Sequence, residues 1–113
     1  MKAEKNSIQL RKGVIEMCVL HLTLDDPKYT GDLLRELKDA SLLVVEGTLY
    51  PLLNRLKDDE LLEYYWEESA SGPPRKYYRC TGEGEQYLEK LKSNWMELVA
   101  SVNGILKQNI VKQ

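Results

Sequence analysis

The chain has 113 residues, of which 42% are hydrophobic and 30% are charged, and its formal net charge is −2. This length suits one folded domain with a modest core, and the composition is that of a globular protein rather than a disordered one. No stretch reaches the roughly 20 consecutive apolar residues that a membrane span requires.

The first segment, residues 8–24, is predicted to form a helix because it is long, mostly apolar and free of turn residues after Gly13. Residues 20–24 alternate between apolar and polar as a strand would, so both structures stay open there. Basic residues precede the apolar run, as in a signal peptide, but Glu16 and His21 interrupt the run and no small-residue cleavage site follows. We therefore expect a cytoplasmic protein.

Two further helices are predicted in the first half of the chain. Thr30 is a candidate N-cap for the second helix, and Asp32 would lie near the positive end of its dipole. The apolar face of this helix would consist of Leu33, Leu34 and Leu37.

The third helix is indicated by four leucines that share one stripe. They are Leu49, Leu52, Leu53 and Leu56. Because proline lacks an amide hydrogen, Pro51 is expected in or near the first turn, and the helix should begin between residues 46 and 48. It would be a short helix with an accessible N-terminus.

A β-hairpin and a long helix are predicted to follow. Residues 62–66 and 76–80 are rich in aromatic residues and favour strands, whereas residues 69–74 are rich in Ser, Gly and Pro and predict a long tip. Thr81 is the expected N-cap of the final helix. Its apolar residues alternate in steps of three and four, as a helix that pairs with a partner requires: Leu88, Leu91, Trp95, Leu98, Val102 and Ile105.

This order of elements predicts a mainly α fold with a small two-stranded β-hairpin, namely a winged helix-turn-helix with a long C-terminal dimerisation helix. The DNA-binding part would cover residues 1–81 and the dimerisation helix residues 82–113. In such a fold the third helix enters the major groove of DNA, and the hairpin reaches the flanking backbone or minor groove.

Two motifs support this interpretation by resemblance. Residues 47–56 read GTLYPLLNRL and residues 74–81 read PRKYYRCT. Together, in this order and at this separation, they resemble the signature of the PadR family of transcriptional regulators, and the likeness extends over about residues 14–95. The single terminal helix resembles the short subgroup of the family.

The resemblance implies a dimeric winged-helix repressor of a detoxification, efflux or self-encoding operon, in which the C-terminal helix pairs the subunits. The sequence departs from the family pattern in three places. Residues 29–32 read YTGD where His-Gly-Tyr is frequent, and Cys80 replaces an aliphatic residue. Glu60 stands where glycine is usual, so the left-handed backbone expected just past the third helix would have to be adopted by glutamate.

Six residues are predicted to contact DNA: Thr48, Tyr50, Asn54, Arg55, Arg75 and Lys76. Thr48, Asn54 and Arg55 would read bases or bind phosphate, unless they only form a solvated helix face. The Tyr50 hydroxyl would meet a phosphate, or its ring would pack between helices. The basic pair at the hairpin is expected to contact phosphates rather than merely to solubilise the chain.

Trp95 lies at a position in the apolar stripe where Leu or Ile would pack more simply. It is either a bulky residue of the dimer interface or one wall of a cavity between subunits, which would bind a flat, apolar or cationic effector. The second role would resemble that of some multidrug-responsive members of the family.

Other sites are not expected. His21 is the single histidine, so no histidine cluster can hold a metal, and no cofactor motif or nucleophile with a base is present, so we do not expect an enzyme. Cys18 and Cys80 are predicted to be buried thiols rather than a disulfide. The acidic residues between positions 58 and 68 keep one alternative open, a winged-helix dimerisation or protein-interaction module that does not read DNA.

Overall fold

The computed structural model describes the backbone of residues 13–111 and the side chains of residues 13–107. Its elements are α1 (residues 13–22), β1 (Lys28–Tyr29), α2 (Thr30–Asp39), α3 (Glu46–Asp58), β2 (Leu62–Ser69), β3 (Gly72–Cys80) and α4 (Gly82–Val111). Residues 8–12 of the predicted first helix lie outside the described residues. Within residues 13–111, no helix combines the length and the hydropathy needed to cross a bilayer.

Helix α1 ends at a buried threonine, and the alternation over residues 20–24 does not produce a strand. The Thr23 hydroxyl lies 2.9 Å from the carbonyl oxygen of Val19 and 3.1 Å from that of Leu20, and it donates to them. Such a bond from a side chain back to its own helix competes with continuation of the helix. The polar residue in the pattern therefore marks a helix end.

The start of α2 differs from the prediction by one residue. Tyr29, not Thr30, holds the N-cap position with an extended backbone, and its amide donates to the Asp32 carboxylate at 3.3 Å. Thr30 is the first residue of the helix and is buried. Leu33 and Leu37 are also buried, as the predicted apolar face requires.

Helix α3 begins at Glu46, within the predicted range, and Pro51 is the sixth residue of the helix, in its second turn. The missing amide of Pro51 leaves the carbonyl of Gly47 without its usual intrahelical donor. Leu49, Leu53 and Leu56 are buried along one face. The N-terminal half of the opposite face is exposed, as expected for a helix with an accessible N-terminus.

Both α2 and α3 end in a left-handed residue that is not glycine, namely Ser41 with φ of 65° and Glu60 with φ of 63°. After α3, the Glu60 amide donates to the Lys57 carbonyl at 3.0 Å and the Leu61 amide donates to the Leu56 carbonyl at 2.9 Å. This is a Schellman motif, which normally favours glycine at the left-handed position. Glutamate therefore preserves the geometry of the helix end, at some cost in backbone strain.

The sheet has three antiparallel strands in the order β1-β3-β2, so the predicted two-stranded hairpin is present and β1 is a third strand added to it. Strand β1 pairs Lys28 with Tyr78 and Tyr29 with Tyr77. Two residues are too few to display an alternating pattern, so no periodicity indicates this strand. The winged-helix architecture is otherwise as predicted.

The hairpin tip is short, which corrects the predicted long loop over residues 69–74. Strand β2 continues to Ser69 and β3 begins at Gly72, so only two residues form the turn. Pro73 and Pro74 belong to β3, where the register with β2 shifts by one residue between Glu67 and Ser69. Prolines are tolerated here because β1 does not reach this part of β3, and no other strand within residues 13–111 pairs with that edge.

Thr81 joins the end of α3 to the start of α4. Its hydroxyl accepts from the Gly84 amide at 2.9 Å, as predicted for an N-cap, and donates to the Glu60 carbonyl at 2.7 Å. The core below these elements consists of Ile15, Val19, Leu20, Leu33, Leu37, Leu49, Leu53, Leu56, Leu62, Tyr78, Cys80 and Leu88. Cys18 and Cys80 are free thiols, and burial raises the pKa of each.

Candidate nucleic-acid interface

The N-terminal half of α3 is the most accessible part of the helix-turn-helix. Thr48, Tyr50 and Asn54 are all exposed, and the N-cap residue Val45 makes no side-chain cap hydrogen bond. Helix N-termini carry partial positive charge and orphan amides, which suit phosphate, although Glu46 in the first turn opposes an anion. This face is free of other parts of the described chain and can reach a groove.

Tyr50 is an exposed residue of α3. Its side chain is 46% exposed, so roughly half of it remains available to a partner. Burial raises the pKa of the Tyr78 hydroxyl, and the neighbouring phenols of Tyr50 and Tyr64 raise it further. Tyr50 therefore lies near the root of the hairpin while still facing solvent.

Arg55 is engaged within the chain. Its Nη1 lies 3.2 Å from Oε1 of Glu16 on α1, whose side chain is only 15% exposed. The contact is an ion pair rather than a hydrogen bond, since this oxygen has no hydrogen-bond partner among the described residues. Arg55 thus links α3 to α1, while its guanidinium stays half exposed.

The two basic residues of the hairpin lie on opposite faces of β3, because neighbouring residues of a strand alternate. Arg75 pairs with Glu67 across the strands and lies on the outer face of the sheet. There its guanidinium carbon is 4.4 Å from the centre of the Tyr29 ring. This ring continues into an aromatic row, with Tyr77 at 5.7 Å and Tyr65 stacked on Tyr77 at 5.9 Å.

Lys76 lies on the inner face, which also carries the core residue Tyr78. Its Nζ is 4.0 Å from the ring centre of Tyr64 and 5.9 Å from that of Trp66. Lys57 of α3 also approaches the Tyr64 ring, with its Nζ 5.9 Å from the ring centre. One aromatic ring therefore holds two cations between the end of α3 and the hairpin.

The sequence did not identify three residues of this cluster as site residues, namely Lys57, Tyr64 and Trp66. The Asp58 carboxylate, 3.0 Å from Lys57 Nζ, raises the pKa of Lys57 and offsets part of its charge. The alternation of residues 62–66 already placed Tyr64 and Trp66 on the side of Leu62. No sequence signal placed Lys57 beside them, because that contact depends on how α3 packs against β2.

The apolar stripe of α4 divides into a buried and an exposed part. Leu88 is 0% exposed within its own chain, so it belongs to the core and is not available to a partner, which corrects its assignment to a dimer interface. Leu91 is half-buried. The other predicted interface residues are exposed together with two that were not predicted: Trp95, Leu98, Val102 and Ile105, with Met96 and Leu106.

Trp95 is 41% exposed and borders two pockets of the single chain. The first, of about 270 Å³, lies between α1, α2 and α4. The second, of about 240 Å³, lies between α1 and α4 and is lined by Gly13, Val14, Met17, Leu91, Asn94 and Leu98. The second pocket adjoins the exposed stripe of α4.

Comparison with known proteins gives the family. Residues 19–90 match the family described as the transcriptional regulator PadR-like family. A transcriptional regulator of Mycobacterium tuberculosis is 30% identical over 96 residues, which cover 85% of this chain and 89% of that protein.

Solved structures agree. The structure of a PadR-like transcription factor from Bacteroides fragilis is 52% identical, with a TM-score of 0.74, covering 89% of this chain and 98% of that one. A PadR family transcriptional regulator from Eggerthella lenta is 36% identical, with a TM-score of 0.84 and coverages of 92% and 91%. The chain belongs to the PadR-like family of transcriptional regulators.

Proposed function

We propose that the protein is a dimeric repressor that binds operator DNA through the exposed face of α3 and the inner face of the hairpin. The observation that carries this proposal is the position of Lys76, which lies on the side of the sheet against which α3 packs. A phosphate between the recognition helix and the hairpin would meet this ammonium. Asn54 and Thr48 would face base edges, with Tyr50 and Arg55 at the flanking backbone.

Arg75 would contribute less to affinity. It lies on the outer face of the hairpin, and its stacking on Tyr29 holds the guanidinium away from α3. Stacking leaves the hydrogen-bond donors at the edge of the guanidinium free to bind a phosphate. We therefore assign Arg75 to a phosphate beyond the central contacts.

The exposed stripe of α4 would pair two subunits. Residues 95–106 carry six exposed large apolar side chains along one helix, and such a patch normally marks an interface. Two-fold pairing would place the two heads, built from residues 1–81, about one helical turn of DNA apart. Residues 82–113 would then form the dimerisation arm.

Release from DNA would follow from binding of a small apolar effector beside Trp95. A tryptophan at a two-fold seam packs poorly against its own copy, and the pocket of about 240 Å³ next to it supports a ligand site there. The regulated genes would be those of a detoxification or efflux system, or the protein's own operon, in the cytoplasm.

A mobility-shift titration with the upstream region of the gene tests the DNA-binding proposal, with random duplex as competitor and a series of salt concentrations. We expect a preference for the upstream region and a steep loss of affinity with salt. Asn54→Ala should change sequence preference, whereas Lys76→Ala should weaken all sequences about equally. No preference at low salt would overturn the proposal and favour a protein-interaction module.

A further inference from the structure

The segment that leads into α3 ends in an exposed apolar residue. Residues 42–45 read LLVV, and Val45 is 64% exposed at the N-cap of the helix. Its backbone is fixed there, because its carbonyl accepts from the amides of Thr48 and Leu49, both at 3.0 Å. Valine is among the poorest N-caps, since its side chain cannot accept from the free amides of the first turn. The fold of the single chain therefore gives no reason for valine at this position.

Gly47, two residues further along, is a glycine that the described chain does not require. It is exposed, and its φ is not in the left-handed region. A Cβ added to it would meet no atom of a more distant described residue within 4 Å. Where neither backbone conformation nor internal packing requires glycine, the missing side chain can serve the close approach of a partner to the backbone.

Pro51 lies about one turn after Gly47, on the same side of α3. This side is opposite the buried leucines of the helix, and Pro51 is exposed. Its ring is rigid and apolar, and its nitrogen carries no hydrogen to donate. We refer to Val45, Gly47 and Pro51 as the apolar ridge, because none of them has a hydrogen-bonding side chain.

The chemistry of the apolar ridge decides which group of DNA it can recognise. Phosphate oxygens and the polar atoms of base edges need hydrogen-bonding partners, which the side chains of the ridge lack. Glu46 beside the ridge further disfavours a phosphate at this end of the helix, because like charges repel. The apolar group that bases display in the major groove is the C5-methyl group of thymine. The ridge therefore suits thymine methyl groups on the floor of the groove.

We propose that the apolar ridge reads thymines in the operator: Val45 and Pro51 cover C5-methyl groups in the major groove, and Gly47 lets the backbone of α3 come close enough for that contact. The ridge adds a preference for thymine that does not depend on hydrogen bonds, beside the polar contacts assigned to Asn54. This inference rests on the proposed DNA-binding function and names part of its specificity.

Replacement of thymine by uracil tests the ridge, because it removes the C5-methyl group and keeps every hydrogen-bonding group of the base. Uracil is placed at each thymine in turn within the shortest upstream duplex that the protein binds, and each duplex competes with the unmodified one in a mobility shift. Affinity should fall roughly 4-fold at the contacted positions, the value expected for one buried methyl group. Equal affinities at every position would overturn the proposal.

Val45→Ser and Pro51→Ala should each abolish the uracil effect at one or more of these positions. Neither change endangers the fold, since serine is a favoured N-cap and alanine is a better helix former than proline, so Tm should not fall. Leu43→Ser removes another exposed apolar side chain, outside the ridge, and should keep the full uracil effect. Parental uracil sensitivity in both ridge variants would overturn the proposal, and so would its loss in Leu43→Ser alone.

Gly47→Ala tests the close approach of the backbone. It should leave Tm unchanged or raise it by up to about 4 °C, yet weaken operator binding roughly 4-fold or more, because the added methyl group fills the space that the base edges need. Gly104→Ala is the matched control: its Cβ also meets open space, and it lies about two and a half turns after Trp95, on the other side of α4. The control should bind DNA as the parent protein does. Unchanged or tighter operator binding by Gly47→Ala would contradict the close approach.

The uracil series also separates this proposal from the function on which it rests. If the parent protein prefers its upstream region but tolerates uracil at every position, the apolar ridge does not contact the methyl groups and the DNA-binding proposal stands. If the unmodified upstream duplex is not preferred over random DNA, both proposals fall.

Discussion

Replacing Glu60 with glycine should stabilise the protein, because the residue holds a left-handed backbone with φ of 63°. That conformation costs a residue with a side chain about 1–2 kcal/mol relative to glycine. Glycine gives part of this back, about 0.5–1 kcal/mol, through the larger entropy of its unfolded chain. The net gain in the free energy of unfolding is therefore about 0.5–1 kcal/mol.

A chain of 113 residues has an unfolding entropy of about 0.24 kcal/mol/K, so this gain should raise Tm by about 2–4 °C. Thermal unfolding followed by circular dichroism measures it, at a fixed protein concentration because association also shifts Tm. The hydrogen bond from the Thr81 hydroxyl goes to the Glu60 backbone carbonyl and survives the change.

Glu60→Ala is the matched control, because it also removes the carboxylate but keeps the Cβ that makes the left-handed conformation costly. It should leave Tm at or below that of the parent protein. If Glu60→Gly were no more stable than Glu60→Ala, backbone strain at this helix end would not be the cause, and the reasoning would be refuted.

Three other changes have expected outcomes. Gly84→Ala should lower stability by about 1–3 kcal/mol in chemical denaturation, because its Cβ would overlap the carbonyl oxygen of Leu61; an unchanged midpoint would contradict that contact. Ile105→Glu should give monomers in sedimentation experiments, and a persistent dimer would place the interface elsewhere. Lys76→Ala should reduce the salt dependence of DNA binding by about one unit of slope and Arg75→Ala by less, whereas the reverse order would place the DNA on the outer face of the hairpin.

The sequence predicted those parts of the fold whose signals are local. The leucine stripe of α3, the cap at Thr81 and the aromatic strands each occupy a few neighbouring residues, and the structure confirms them. Strand β1 escaped detection because Lys28–Tyr29 is too short for a periodic pattern. The hairpin tip was predicted too long because prolines, which usually end strands, occupy an open edge here.

The environments of the site residues were harder to predict than the secondary structure, because they depend on contacts between segments that are distant in the sequence. The partner of Arg55 is Glu16, from another helix, and no spacing rule connects the two. Leu88 fits the repeat of α4 as well as Val102 does, but a repeat does not tell whether a leucine faces its own core or a second chain. Tertiary packing decides both cases, and it also decides which side of β3 faces α3.

The outer edges of the small sheet bear on the tendency of the protein to aggregate. Strand β2 is the last strand of the sheet, and no other strand within residues 13–111 pairs with its outer edge. Exposed strand edges can recruit strands of other molecules. Strand β2 carries repelling negative charge at Glu63, Glu67 and Glu68. At the outer edge of β3, Pro73 and Pro74 have no amide hydrogen to donate to another strand. These acidic residues contribute to the negative net charge, which is unfavourable for DNA binding. On the edge strand, the same charges would oppose edge-to-edge aggregation.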